Sequence, residues 1–192
     1  MKVQTNHIND LIDRCLNNEQ AAYYEVYNNY QQVMFNSAYR ILHDTMEAED
    51  VMQESFIKAF QKLPSFKRKS RFNKNAIPFG SWLKRIVINN SINQLRKNNK
   101  FITTELENVK EPIATEETIE IDTNDVVILL NALKELRPNY KLALTLHLVE
   151  GYDYEEIAEI MQVTYQNSRT IISRAKSKLK TIIKPSDAKE QI

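Results

Sequence analysis

Only two glycines, Gly80 and Gly151, occur in the 192 residues. Glycine supplies the positive-φ positions that tight hairpin turns demand. A chain this poor in it points away from strands and toward helices. Helical spacing agrees. Ile8, Leu11, Ile12 and Cys15 mark a short first helix, and Tyr23, Val26, Tyr27, Tyr30, Val33, Met34, Ala38 and Ile41 recur at threes and fours in a longer second one. Asp44 is placed to cap a third helix, with Glu47 as capping-box partner, running to about Leu63 before Pro64. Ser81 is expected to cap a fourth helix ending near Asn98. Further helices are expected at about 125–136, 138–150 (Pro138 in the first turn), 153–161 and 165–183. The expected fold is all-α, with two small helical domains at 1–100 and 125–184. An acidic flexible linker at 101–124 joins them, and a tail follows at 185–192.

The net charge of +1 hides a strong segregation. Residues 1–54 carry −6, 55–100 carry +12 with no Asp or Glu, 101–128 carry −7 and 129–192 carry +2. Twelve like charges repel one another unless a polyanion neutralises them, and nucleic acid is the commonest such partner. A solvated basic face is the plain alternative. Phe56, Phe60, Phe66, Phe72, Phe79 and Trp82 lie inside the block and argue against it, because unstacked bases use rings and a solvated face does not. The single cysteine, Cys15, excludes an internal disulfide and a cysteine-built metal site. No run reaches the roughly 18 apolar residues of a membrane span. The leading MKVQTNHINDL lacks the pattern of a secretion signal. The expectation is a soluble, cytoplasmic protein without cofactor or metal.

Three surfaces carry chemistry. On the third helix Ala48, Met52, Phe56, Ala59 and Leu63 form an inward stripe, while Glu47, Asp50, Gln53, Glu54, Ile57 and Gln61 face away. An isoleucine amid carboxylates suits a protein contact, though single exposed apolar residues are also ordinary. The loop FKRKSRFNKNAIPFG sets Lys67, Arg68, Lys69, Arg71 and Lys74 around Phe66 and Phe72, charges for phosphates and rings for bases. In the helix that follows, Arg85, Asn89, Asn93 and Arg96 fall within roughly an 80° arc, side chains suited to base edges. Trp82 falls in the same arc, where it serves either the core or the strip. Residues 153–183 read as a helix-turn-helix. Ile157, Ala158 and Met161 point inward, Val163 fills the turn, and Thr164 caps a second helix. There Ser168, Ile172, Ala175, Leu179 and Ile182 point inward, and Gln166, Asn167, Arg169, Thr170 and Ser173 point outward. Gln162 stands where such a turn usually has glycine. His43-Asp44 also suggests a metal-dependent HD phosphohydrolase, but its other ligands are wanting: His7 is near the terminus and His147 sits in an apolar helix. An ordinary helix-turn-helix regulator explains residues 153–183 but not the basic block.

AEDVMQESFIKAF (48–60), PFGSWLKRIVINNSINQLRK (78–97) and ALKELRPNYKLALTLHLVEGYDYEEIAEIMQVTYQNSRTIISRAKSKL (132–179) resemble, in that order, regions 2.2, 2.3–2.4 and 4 of sigma-70 type RNA polymerase sigma factors, specifically the compact extracytoplasmic-function group. The resemblance implies that Glu47, Asp50, Gln53, Glu54 and Ile57 grip the clamp helices of the polymerase β′ subunit, with the β flap as a further polymerase contact. It implies that loop 66–79, Trp82, Arg85, Asn89, Asn93 and Arg96 hold the opened −10 element. The helix beginning Tyr165, Gln166, Asn167, Arg169, Thr170, Ser173 and Arg174 would enter the −35 major groove. It further implies an anti-sigma factor as regulator and no enzymatic activity. Four departures stand out: residues 67–77 are longer and more basic than usual, Asn93 replaces a frequent Asp, Ser168 replaces a usual apolar residue, and Ile171 replaces a frequent Arg.

Overall fold

The computed structural model describes the backbone of residues 2–66, 77–98 and 126–183, and side chains from residue 7 in the first stretch and 131 in the last. The basic loop residues Lys67, Arg68, Lys69, Arg71, Phe72 and Lys74, the linker 101–124 and the tail 185–192 lie outside these. The described residues form helices and no strand. Two compact units divide the chain, 1–98 and 99–192.

Unit 1 contains α1 (Lys2–Leu16), α2 (Gln20–Leu42), α3 (Thr45–Lys62), a 3-10 turn (Leu63–Ser65) and α4 (Phe79–Lys97). Helices α2, α3 and α4 pack against one another, and α1 lies on α2. The expected stripe of α3 is buried, and Val51 joins it. Leu11, Ile12 and Cys15 seal α1 to this core, so the cysteine is a packing residue. Along α2 the three-four pattern holds except at Val33, which is 51% exposed. Position 33 lies about 100° from its inward neighbour Met34, and apolar character alone did not distinguish the two.

The ends of these helices follow from local chemistry. His43 takes a left-handed conformation (φ 56°) and its N–H reaches Tyr39 O, ending α2. Asp44 Oδ1 accepts from Glu47 N at 2.9 Å, starting α3. The pair that suggested a hydrolase therefore joins two helices. The expected cap at Ser81 is corrected: α4 starts at Phe79 and its N-cap is Pro78. Proline has a fixed φ and no N–H to leave unsatisfied, and its carbonyl accepts from Trp82 N at 3.0 Å. Ser81 is an exposed residue of the first turn.

Unit 2 contains α5 (Val126–Glu135), α6 (Pro138–Leu144), a π-turn (Thr145–Val149), α7 (Tyr154–Met161) and α8 (Tyr165–Ile183). The single helix expected at 138–150 instead widens in its last turn. Glu150 N reaches back five residues to Thr145 O at 3.0 Å, and Tyr152 N reaches Leu146 O at 3.0 Å. The widened turn leaves Leu148 and Val149 exposed while Leu146 stays buried. Asp153 and Glu156 form a reciprocal capping box at the start of α7. At its end Gln162 is left-handed (φ 59°, ψ 45°), and Val163 N donates to Ala158 O at 3.0 Å. That six-to-one bond is the Schellman arrangement. Thr164 Oγ1 accepts from Asn167 N at 3.2 Å and opens α8.

Helix α8 buries Ser168, Ile171, Ile172, Ala175 and Leu179. Ile182, expected in this stripe, is only partly buried. Ser168 suits the interior because its hydroxyl has carbonyl partners, Tyr154 O and Tyr165 O, each at 2.8 Å. It ties α8 to the start of α7. Ile171, which was not assigned inward, is 2% exposed.

Candidate nucleic-acid and polymerase interfaces

On α3, Asp50, Gln53 and Glu54 are exposed, and Ile57 is 58% exposed. Met46, overlooked in the sequence, is 78% exposed. At 3.6 residues per turn Met46, Asp50, Gln53 and Ile57 share an arc of roughly 60°. Met46 and Ile57 stand eleven residues apart, a helical repeat that could have revealed the pair. The face is thus apolar at two points and acidic between them. Glu54 receives Lys58 Nζ at 2.7 Å, and this hydrogen bond holds its carboxyl below the usual range. Glu47 is half-covered and accepts from Asn98 Nδ2 on α4.

On α4, Asn89 and Asn93 are exposed, while Arg85 and Arg96 are partly buried. Arg96 donates to Asn93 Oδ1 at 3.4 Å, and burial lowers its pKa. Guanidinium nonetheless stays charged at physiological pH.

The rings of the basic block behave differently from the expectation that they await bases. Phe56 and Phe79 are buried, and Phe60, Phe66 and Trp82 pack against the same core. Phe66, Phe79 and Trp82 form a triad with centroid separations of 4.9–5.7 Å. Their contact brings Phe66 and Phe79 together across the intervening loop. Trp82 is half-buried in this triad. Ring count in a basic segment could not separate stacking platforms from core, because both draw on the same residues.

On α8, Tyr165, Gln166, Asn167 and Arg169 are exposed, and Thr170, Ser173 and Arg174 are partly so. The Arg169 guanidinium lies 6.0 Å from the Tyr165 ring centroid, within reach of a cation–π contact. Thr170 Oγ1 donates to Gln166 O at 2.9 Å. A helix whose first turns present Gln, Asn and Arg offers bidentate donors and acceptors for base edges. His147, expected to be a packing residue, stacks on Tyr154 at 5.0 Å and sets Nδ1 3.1 Å from Tyr152 O. It thereby braces the π-turn against α7.

Comparison with known proteins now bears on these surfaces. The sigma-70 region 2 profile matches residues 26–101 and the sigma-70 region 4 profile matches residues 127–179. The chain is 29% identical over 190 residues to the RNA polymerase sigma-H factor of Pseudomonas aeruginosa, covering 91% of this chain and 93% of that protein. It is 28% identical over 186 residues to the extracytoplasmic-function (ECF) sigma-E factor of Haemophilus influenzae, covering 91% and 94%. Its fold is similar to that of CnrH, solved with the cytosolic domain of CnrY (TM-score 0.52, 16% identity, 92% of this chain and 97% of that one). It is likewise similar to RpoE of Bartonella quintana, solved with the anti-sigma factor NepR (TM-score 0.52, 22% identity, 84% and 96%). The chain belongs to the sigma-70 family as an extracytoplasmic-function RNA polymerase sigma factor, the subunit that directs promoter recognition and transcription initiation.

Proposed function

We propose a division of labour in which α3 docks on the polymerase while α4 and α8 hold two elements of the promoter. Asp50, Gln53, Glu54 and Ile57, with Glu47 at the edge, contact the β′ clamp helices, and Met46 extends that contact. Unit 2 meets the β flap. Arg85, Asn89, Asn93 and Arg96 hold the −10 element, together with the basic residues Lys67, Arg68, Lys69, Arg71 and Lys74 and with Phe72. Trp82 serves this surface from behind, by packing. Gln166, Asn167, Arg169, Thr170 and Ser173 read the −35 element, with Tyr165 and Arg174 beside them. Strand opening draws on binding energy, since the basic surface favours the separated strand; no chemical step is assigned to the chain. Two structural neighbours were solved with CnrY and the anti-sigma factor NepR, which supports an anti-sigma factor as this chain's regulator. No helix among the described residues is long and apolar enough to cross a membrane, and the cytoplasm, where core polymerase resides, is the proposed location.

The outward Ile57 among carboxylates is the observation that carries the docking assignment. Sigma-free core polymerase, mixed with the protein and its host's genomic DNA, is expected to initiate at discrete sites that run-off mapping identifies. Ile57→Glu is expected to lower core affinity at least tenfold with an unchanged helical spectrum. Undiminished affinity would remove the α3 face from the interface.

A further inference from the structure

A seam of polar side chains runs along one flank of the contact between α3 and α4. Asn90 stands at its centre. This half-buried residue lies off the DNA-facing strip, about 60° around the helix from Asn93. Its Nδ2 donates to Ser55 Oγ at 2.8 Å, and its Oδ1 accepts from Lys58 Nζ at 3.2 Å. Ser55 is fully buried and passes its own hydrogen to Val51 O at 2.6 Å. Lys58 is shared with Glu54 at 2.7 Å. At the other end of the seam Asn98 donates to Glu47.

These bonds act as two pegs. The α3 ends, Glu47 and Ser55, are eight residues apart, and so are the α4 ends, Asn90 and Asn98, or about 12 Å along each axis. The helices run in opposite directions, since early α3 meets late α4. One peg permits rotation about itself, whereas two pegs 12 Å apart oppose both rotation and a one-turn slide of about 5.4 Å. The apolar core beneath does not specify register so sharply, because aliphatic packing is non-directional. The buried Ser55 hydroxyl gives Asn90 a directional partner.

We propose that Asn90 is a positioning residue, holding the Arg85–Asn89–Asn93–Arg96 strip at a fixed angle to the polymerase-facing side of α3. The proposal deepens the assignment of those faces made above and rests on it. Asn90 touches neither polymerase nor DNA. It acts through Ser55 and Lys58, and Lys58 connects it to Glu54 on the docking face.

The test uses the full-length chain with core polymerase and a promoter mapped by the run-off experiment, with strand opening followed by 2-aminopurine fluorescence in the −10 element. Asn90→Ala and Ser55→Ala each remove one end of the same bond. Each is expected to slow opening about tenfold, while core affinity and the melting temperature change little. The double variant is expected to open no more slowly than Asn90→Ala alone, because that substitution already removes the bond to Ser55. Asn89→Ala, taken from the strip itself, is expected to reduce opening in the native background and to have less effect when Asn90 is already alanine. Additive losses, or losses that track melting temperature, would overturn the positioning role. So would a harmful Asn89→Ala beside a harmless Asn90→Ala. A harmless Asn89→Ala would instead overturn the strip assignment, and the role of Asn90 with it.

Discussion

The two units hold their functional helices by different means. In unit 1 the contacts that matter are remote in sequence. Tyr23 meets Phe60, Tyr27 meets Phe56 and Tyr30 meets Phe79, so α2 carries a row of rings answered from α3 and α4. In unit 2 the three helices before α8 are short, and helix ends are fixed locally by Pro138, the Asp153–Glu156 box, left-handed Gln162 and the Thr164 cap. Isolated helices as short as the eight-residue α7 are marginal in water, so their caps weigh more. Unit 1 therefore depends on a few large side chains and unit 2 on many small local terms.

The largest expected effect breaks unit 1 alone. Phe79 is 4% exposed and touches Tyr30, Phe66 and Trp82. Phe79→Ala is expected to cost about 3–5 kcal/mol. Calorimetry should show one transition lowered and one unmoved, and equal lowering of both would deny that the units are energetically separate. Next comes Gly80, over which Tyr30 lies so closely that an added Cβ would sit 2.9 Å from its ring. That ring is wedged against Phe79, so Gly80→Ala is expected to cost about 1–3 kcal/mol through overpacking, despite alanine's better helix propensity. A stabilised Gly80→Ala would mean that Tyr30 moves freely and that the ring row is loose. In unit 2, Asp153→Ala removes one half of the capping box and is expected to cost about 1 kcal/mol. Chemical denaturation should place the loss in the unit 2 transition.

The difference between units also explains what the sequence disclosed. The caps Asp44 and Thr164 were legible because a cap is a relation between residues three apart, and the Asp153–Glu156 box, of the same kind, was not assigned from the sequence. The inward stripes of α3 and α7 were legible because their period is local. Ser81 failed because Pro78 offered a competing start, and the serine rule ignores that competitor. Thr145–Val149 failed because a π-turn leaves no periodic mark over five residues. The site was harder. Exposure of Ile57 followed from its own helix, but the duty of Trp82 depended on Phe66 and Phe79, and that of Asn90 on Ser55, thirty-five residues away. Charge segregation marked out a basic block without revealing that Phe56, Phe60, Phe66, Phe79 and Trp82 belong to or pack on the core.

Gln162 sharpens the comparison from the other side, since here a local rule is violated inside the unit built on local rules. A non-glycine residue in the left-handed region is strained, by roughly 1 kcal/mol at a single helix end. Gln162 keeps that conformation because the flanking chain requires it: Val163 N must reach Ala158 O to close the helix, and Thr164 must cap α8 only two residues after Gln162. Its side chain is exposed, so glycine would leave no cavity. Glycine would also enlarge the unfolded ensemble, which offsets part of the relief. The net expectation for Gln162→Gly is a gain of about 0.5–1 kcal/mol in the unit 2 transition. Unit 1 should be unaltered, and so should −35 binding, because the turn geometry is already that of glycine. If stability fell instead, contacts of the glutamine side chain would outweigh the backbone strain, and unit 2 would share the reliance on particular side chains that marks unit 1.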